Sequence, residues 1–335
     1  MFATIRIAIS ILILCLLTAC TENLSANRPY ILTTATTGGT YYPVGVALAT
    51  ITKSQLHRTE GISLSAISSA GSMENIKLMR DNQAQFALLQ GIFAAWAWNG
   101  DGPINKPQPW LRSISAMWNN AEHFVLLKEL ATDGSIMNLD LLKGQRFVLG
   151  ARNSGAERSG DYILDSLGID YKDKFKLAHM GYGATANAIQ DGTIVGMNIP
   201  AGIPVNSITR AFAMVGDDLV LLSFSDEQLA QVNVRYALWN RYVIPAGTYP
   251  HQPQDIESIA HPNVLAVRAD VPDEAVYQIT RAIFENLAAL QEIHKATREV
   301  TVKHALLGLS APLHSGALRY YQEIGIETPE ELVLP

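Results

Sequence analysis

Three times along this chain an apolar, β-branched run ends in a turn of Gly, Ser and Thr, and a helical pattern begins at once. Tyr30 to Thr34 runs into Thr37 to Tyr42, after which Val44, Ala47, Leu48 and Ile51 mark one face of a helix. Ile62 to Ile67 runs into Gly71 to Asn75, with Ser72 read as the N-cap of a helix carrying Ile76 and Met79. Phe147 to Gly150 runs into Asn153 to Glu157, where Ser154 and Glu157 are spaced as a capping box ahead of Tyr162, Ile163, Leu164 and Leu167. Units of this kind build mostly parallel sheets, and their ligands lie beyond the strand C-termini. Free N–H groups at a helix N-terminus attract anions, and glycine lets a ligand approach the backbone. Two such turns in the first half and one in the second predict a cleft between two lobes.

The remaining pattern fits that plan. Phe86 to Leu89 reads as a third strand, and Leu111 to Met117 and His123 to Leu127 as two more. Trp118-Asn119-Asn120-Ala121, between the last two, is expected to cross from lobe to lobe. Leu177 to Met180 with Ala184 to Gln190 repeats the strand–helix unit, and Leu219 to Leu222 and Val264 to Val267 are further strands. Pro272 opens what reads as the longest helix, striped by Val276, Ile279, Ile283, Leu287 and Leu290. The 335 residues, 48% of them hydrophobic, suffice for two cores of ordinary domain size. The expected first lobe takes residues 28–120 plus 258–335, and the second takes 121–257.

The N-terminus reads as an address. Arg6 precedes an apolar run from Ile7 to Leu17, too short for the roughly 20 residues that span a bilayer. It suits a secretory signal ending at a small-residue cleavage site. Leu17-Thr18-Ala19-Cys20 resembles a bacterial lipobox, which implies cleavage after residue 19 and lipid on Cys20, with residues 20–27 as a tether. Cys15 leaves with the signal, so the mature chain keeps no free thiol, as an oxidising compartment favours.

Several chemistries are disfavoured. Lys and Arg number 25 against 31 Asp and Glu, a formal charge of −6 with no basic run, so no nucleic acid is expected as partner. The eight histidines show no His-x-x-x-His or His-Glu-x-x-His spacing, so no metal site is expected. Gly181-Tyr182-Gly183-Ala184-Thr185-Ala186 matches a relaxed dinucleotide fingerprint, but no Asp or Glu lies between Thr193 and Gly216 to hold a ribose. That turn reads as a strand–helix connection or a ligand-cleft turn, and no cofactor is expected. Ser154 lacks a nucleophile elbow and reads as a cap, His314 as structural, and Trp96 and Trp98 as packing or surface residues. Turnover is therefore not expected.

A family resemblance sharpens this reading. Thr36-Thr37-Gly38-Gly39-Thr40-Tyr41-Tyr42-Pro43-Val44-Gly45 resembles the TAXI-type solute receptors of TRAP transporters. Ala70-Gly71-Ser72-Met73-Glu74-Asn75, Leu142 to Gly150, Asn153-Ser154-Gly155, Ile244 to Pro250 and Pro312 to Tyr321 follow in family order. The resemblance covers Tyr30 to Gly325 and implies an α/β, type II-like periplasmic-binding-protein fold: two lobes, mostly parallel sheets and hinge crossings. It further implies a receptor that hands glutamate, glutamine or a related organic anion to a TRAP-type membrane permease. Other roles for the same cleft are a ligand-sensing receptor or a periplasmic enzyme. The candidate ligand contacts are Gly38, Gly39, Thr40, Tyr41 and Tyr42; Gly71, Ser72 and Asn75; Gln90; Arg152, Asn153, Ser154, Gly155 and Ala156; and Gly202. Of the adjacent Tyr41 and Tyr42, one is expected to face the cleft. Three places depart from the family pattern and bear on ligand choice. Gly91-Ile92-Phe93 follows Gln90 where an acid is usual, the strand after Asp191-Gly192 reads Val195-Gly196-Met197-Asn198 where an Asp-Ala pair is usual, and Arg152 stands where proline is common.

The lipobox reading makes a direct prediction. Intact-mass analysis of membrane-extracted protein should show a mature chain that begins at a diacylated Cys20, and Cys20→Ala should leave the chain unprocessed or unanchored. A mature chain beginning elsewhere without acyl groups contradicts it.

Overall fold

The computed structural model describes residues 28–334, so the signal segment, Cys20 and the tether lie outside the described residues. The strands are β1 (Arg28–Thr33), β2 (Ile62–Ile67), β3 (Phe86–Gln90), β4 (Leu111–Ala121), β5 (Phe124–Leu127) and β6 (Arg146–Gly150). They continue with β7 (Lys176–His179), β8 (Gly196–Asn198), β9 (Leu219–Leu221), β10 (Asn240–Ile244) and β11 (Ile256–Arg268). The helices are α1 (Tyr41–Glu60), α2 (Ser72–Arg80), α3 (Gly91–Asn99), α4 (Gly155–Ser166), α5 (Tyr171–Lys174) and α6 (Tyr182–Gln190). After these come α7 (Asn206–Val215), α8 (Asp226–Val232), α9 (Asp273–Glu285), α10 (Leu287–Gln291) and α11 (Ser315–Glu323).

The strands form two sheets of the same design. In one, β2-β1-β3 pair in parallel, β11 follows antiparallel, and β4 and β10 both pair with β11. In the other, β7-β6-β8 pair in parallel, β5 follows antiparallel, and β9 closes the edge. In each sheet a single strand, β11 or β5, therefore runs against the rest. This is the two-lobed, mostly parallel α/β architecture that the resemblance implied. Every parallel strand except β8 delivers its chain into a helix at the same sheet edge: β1 into α1, β2 into α2, β3 into α3, β6 into α4 and β7 into α6. All five residues of β3 are buried, as a central strand covered on both faces requires.

Three apolar cores hold the layers. The first packs α1, α9 and α11 on one face of the first sheet through Leu32, Val44, Leu48, Trp118, Ile279 and Tyr321, all fully buried. Each such side chain stabilises the fold by about 1.5–3 kcal/mol on area alone. The second lies on the other face and continues into the second lobe, where Leu89, Phe93 and Trp96 join Phe124, Phe147 and Leu164. The third seats α6 and α7 on the second sheet through Val125, Met197, Ile208 and Phe212. Trp96 is 3% exposed and meets Tyr162 and Tyr236 edge-on, so it packs between lobes.

Several expectations need correction. Trp118 to Ala121 do not cross between lobes; they complete β4, because Asn119, Asn120 and Ala121 pair with Pro262, His261 and Ala260 of β11. The connection to the second sheet is shorter, only Glu122 and His123. Position 258, expected as a boundary, falls inside β11. The longest helix is α1, at 20 residues; the stripe after Pro272 breaks at Asn286, whose amide donates to the Ala282 carbonyl. Ser72 is the first helical residue, not the cap, which is Gly71 at φ 116°, a conformation that glycine alone adopts without strain. The Ser154/Glu157 capping box is half present: Ser154 accepts from Glu157 N, but the Glu157 carboxylate reaches Asn153 N, 2.6 Å away. Helix α3, rich in alanine and tryptophan, has no apolar stripe to announce it because nearly every residue is buried.

The Glu122–His123 crossing is buried and self-consistent. His123 Nδ1 sits 3.0 and 2.9 Å from the Ala121 and Ile199 carbonyls, so it carries the proton, and Nε2 accepts from Tyr249 O–H at 2.7 Å. Burial lowers His123 to about 4. Glu122 backbone N donates to Ile259 O, and its carbonyl accepts from Ser258 Oγ. Its side-chain Oε2 accepts from Asn198 Nδ2 at 2.9 Å, whereas Oε1 has no partner. Burial raises this carboxyl to about 7 from an ordinary 4.5, against the hydrogen bond from Asn198.

A folded-state pKa above the unfolded value means that the stabilising contribution is complete below pH 4.5 and is lost as pH rises through 7. Glu122→Gln keeps the acceptor for Asn198 and cannot ionise. Chemical denaturation should show the variant gaining stability relative to the parent by about 3 kcal/mol between pH 4.5 and 8. A difference that is constant with pH would contradict the buried, proton-holding Glu122.

Candidate functional site

The strand order fixes where a ligand can sit. Because β1, β2, β3, β6 and β7 all end at the facing edges of the two lobes, the N-terminal ends of α1, α2, α4 and α6 line one cavity between them, together with Gln90 at the end of β3. The first-turn N–H groups of each helix have no carbonyl four residues back to bond, and the helix dipole makes each end partly positive. The space enclosed is small: about 30 Å³ is open to the centre of a water-sized sphere.

The lobes close on it through backbone and small side chains. A Cβ at Gly155 would lie 3.0 Å from Ser72 Oγ and 3.2 Å from Gln90 Nε2, so a side chain here would press on both as the start of α4 meets α2 and β3. A Cβ at Gly38 would meet Gly183 N at 2.9 Å, which places the Thr36–Thr40 turn directly against α6. Thr40 Oγ1 donates to Gly202 O at 3.0 Å, and Tyr182 O–H donates to Pro200 O at 2.9 Å. Ser72 Oγ accepts from Gln90 N at 3.0 Å.

Tyr41 is the tyrosine that faces inward. It donates to Asn263 Oδ1, packs edge-on against Trp118, and burial holds its phenol well above the usual range. Gln90 and Asn120 are 4% and 1% exposed and line the cavity, yet Gln90 Oε1 and Asn120 Nδ2 have no hydrogen-bond partner among the described residues. No Lys, Arg, His, Asp or Glu is in the lining. The described residues include no His/Cys/Asp/Glu group that could hold a metal ion, and no helix long and apolar enough to cross a membrane.

The structure brings together many of the residues singled out in the sequence. Gly39, Thr40, Tyr41, Gly71, Ser72, Gln90, Ser154, Gly155 and Ala156 all line the cavity. Gly38 and Gly202 lie just behind it, as lobe contacts. Four others do not line it. Tyr42 is half-buried outside, one helical step from Tyr41. Asn75 is a structural hub: its amide donates to Thr34 O and Leu88 O, and its carbonyl accepts from Thr33 and Ser69 hydroxyls. Asn153, at φ 58°, turns the chain into α4. Arg152 is exposed and belongs to a neighbouring groove with Met73, Glu74, Lys77 and Arg80, so it stands near the cavity mouth without entering. His314 caps α11 by accepting from Gly316 N, as a structural histidine would.

Sequence reasoning missed Asn120, Pro200 and Ala201, which are buried at strand ends and carry no local signal. Gly181 and Tyr182 did carry one. The glycine-rich turn that mimicked a dinucleotide motif is the start of α6 and the second lobe's other wall.

Residues 32–325 match the model of the NMT1-like family. Among solved structures, PhnD1 from Prochlorococcus marinus in complex with methylphosphonate is 13% identical and superposes with a TM-score of 0.53, over 89% of this chain and 98% of that one. MatC from Rhodopseudomonas palustris with bound malate is 10% identical, with a TM-score of 0.55 over 89% of this chain and 97% of that one. At such identities the likeness is one of fold, two lobes around a central cleft. The family match spans both lobes and every turn that lines the cavity, and on that ground the chain belongs to the NMT1-like family.

Proposed function

We propose that this protein is an extracytoplasmic solute receptor that closes its two lobes around a small carboxylate and releases it to a membrane permease. The observation that carries the reading is the convergence of four helix N-termini on one inter-lobe cavity with no cation in its lining. Such an arrangement stabilises a desolvated anion through N–H groups and dipoles. The neighbours with bound malate and methylphosphonate support a cleft that takes small anions. The motifs shared with TAXI receptors favour a TRAP-type permease as the acceptor, and the lipobox favours a chain held at the membrane by lipid on Cys20.

Nothing in the lining favours turnover. General acid–base catalysis needs a titratable side chain at the reacting atoms. The cavity presents hydroxyls, carboxamides and backbone instead. Tyr41 and Tyr182 are held well above the usual phenol range by burial, which suits binding rather than proton transfer at neutral pH.

The test is a thermal-shift panel of small carboxylates, neutral sugars and amines against the mature chain. At a hundred times its dissociation constant a carboxylate adds about 2.7 kcal/mol, which raises Tm by roughly 5–10 °C for domains of this size. Gly155→Val should abolish that shift and change the unliganded Tm by less than the shift itself, because the new side chain meets Ser72 and Gln90 only when the lobes are closed. Shifts from sugars or amines and none from carboxylates would overturn the assignment.

A further inference from the structure

Directly behind the cavity wall the chain buries a carboxyl. Glu122 is 1% exposed and is bracketed by positions that line the cavity. Asn120, in the lining, stands two residues before it. Its hydrogen-bond partner Asn198 stands two residues before Pro200, a lining residue whose carbonyl accepts from Tyr182 O–H. Ser159, beside Glu122 on α4, follows the lining residue Ala156 by three positions, about one helical turn. Two residues of strand advance roughly 7 Å, so the carboxyl lies within roughly 10 Å of the enclosed space.

No cation offsets this group. Asn198 of β8, Ser159 of α4 and Tyr182 of α6 face it, while Ser258 and Ile259 of β11 meet only its backbone. His123 beside it and His261 on β11 are both held by burial at about 4, uncharged at neutral pH. With its own carboxyl at about 7, Glu122 gains and loses its proton in the neutral range. Asn198 serves both forms. Its Nδ2 donates to the carboxylate, and turned end for end its Oδ1, which has no other partner, accepts from the acid.

Two like charges about 10 Å apart, at an effective dielectric of about 20, change each other's binding roughly tenfold. An anion in the cavity therefore meets a repulsion that disappears when Glu122 is protonated. The coupling is reciprocal, so the bound anion also holds the proton on Glu122. We propose that Glu122 links the cleft to the proton: the chain takes up a proton at this side chain as an anion enters and gives it back as the anion leaves. The proposal rests on the solute-receptor reading and adds a regulation to it. Affinity is complete where Glu122 is neutral and falls as pH rises through 7, so rising pH favours release. His179, whose Nδ1 lies 2.9 Å from Glu157 Oε1 at the start of α4, is the alternative source of a slope of the same sign.

Isothermal titration of the mature chain with acetate, malate and glutamate at pH 6.0 and 8.5 tests the proposal. Whichever of the three binds should do so about fivefold more tightly at the lower pH. At pH 7.5, heats compared in two buffers of different ionisation enthalpy should show about half a proton taken up per anion bound. Glu122→Gln fixes the neutral form, so it should bind equally at both pH values and take up no proton. His179→Asn should keep both the slope and the uptake. Equal affinity at the two pH values, with no proton uptake by the parent chain, would overturn the proposal and leave the receptor reading intact. So would a slope that survives Glu122→Gln or vanishes with His179→Asn. Heat from none of the three carboxylates, from a chain whose folding is verified by circular dichroism, would remove both.

Discussion

The meeting of four helix N-termini at one inter-lobe cavity, with no cation in its lining, is the constraint on which the rest of this structure depends. A desolvated carboxylate, the ligand proposed above, is costly unless its oxygens meet fixed donors, and backbone N–H groups at helix ends are donors that cannot relax away. They can be presented from four directions only if several strands end at one edge and each hands its chain at once to a helix. The parallel arrangement of β1, β2, β3, β6 and β7, the glycines at 71 and 155, and the antiparallel β5 and β11 that tie the lobes together all serve that geometry. The apolar core that runs between lobes through Trp96 and Tyr162 then fixes the distance at which the two sets of helix ends face each other.

The crossing is built differently from the cleft. At Glu122 and His123 the chain buries two titratable groups, one held protonated and the other held neutral in the lower part of the neutral range. Neither lines the cavity, and their hydrogen bonds run to the strand backbones on both sides. A buried polar network of this kind is expensive when partly satisfied, and Glu122 Oε1 and Asn198 Oδ1 are both unpaired. These unpaired atoms fall at the connection between the two lobes.

Much of this was legible in the sequence, for reasons that can be stated. Strand-to-helix turns announce themselves through Gly, Ser and Thr, so three of the four helix N-termini, with Gly39, Thr40, Tyr41, Gly71, Ser72 and Ser154 to Ala156, were readable directly. The choice between Tyr41 and Tyr42 was readable from the helix stripe, because Tyr41 precedes Val44 by three residues and Leu48 by seven, whereas Tyr42 falls on the opposite face. Helix α3 escaped because a segment buried all round has no period. Asn120 escaped because its role comes from β11, whose partner residues lie about 140 positions away, and no local pattern encodes that pairing. Arg152 was over-read: a basic side chain beside an anion turn suggests a fork for a carboxylate, but the turn at Asn153 directs it outward to the neighbouring groove.

The most direct test of helix-terminus recognition is a ¹H–¹⁵N correlation spectrum of the mature chain titrated with a carboxylate that it binds. The backbone amides of Ser72, Gly155, Ala156 and Tyr182 should move downfield together and saturate at one equivalent, while the side-chain resonances of Arg152 and the surface lysines stay in place. Saturating shifts confined to Arg152, Lys77 and Arg80, with the four backbone amides unmoved, would contradict the account.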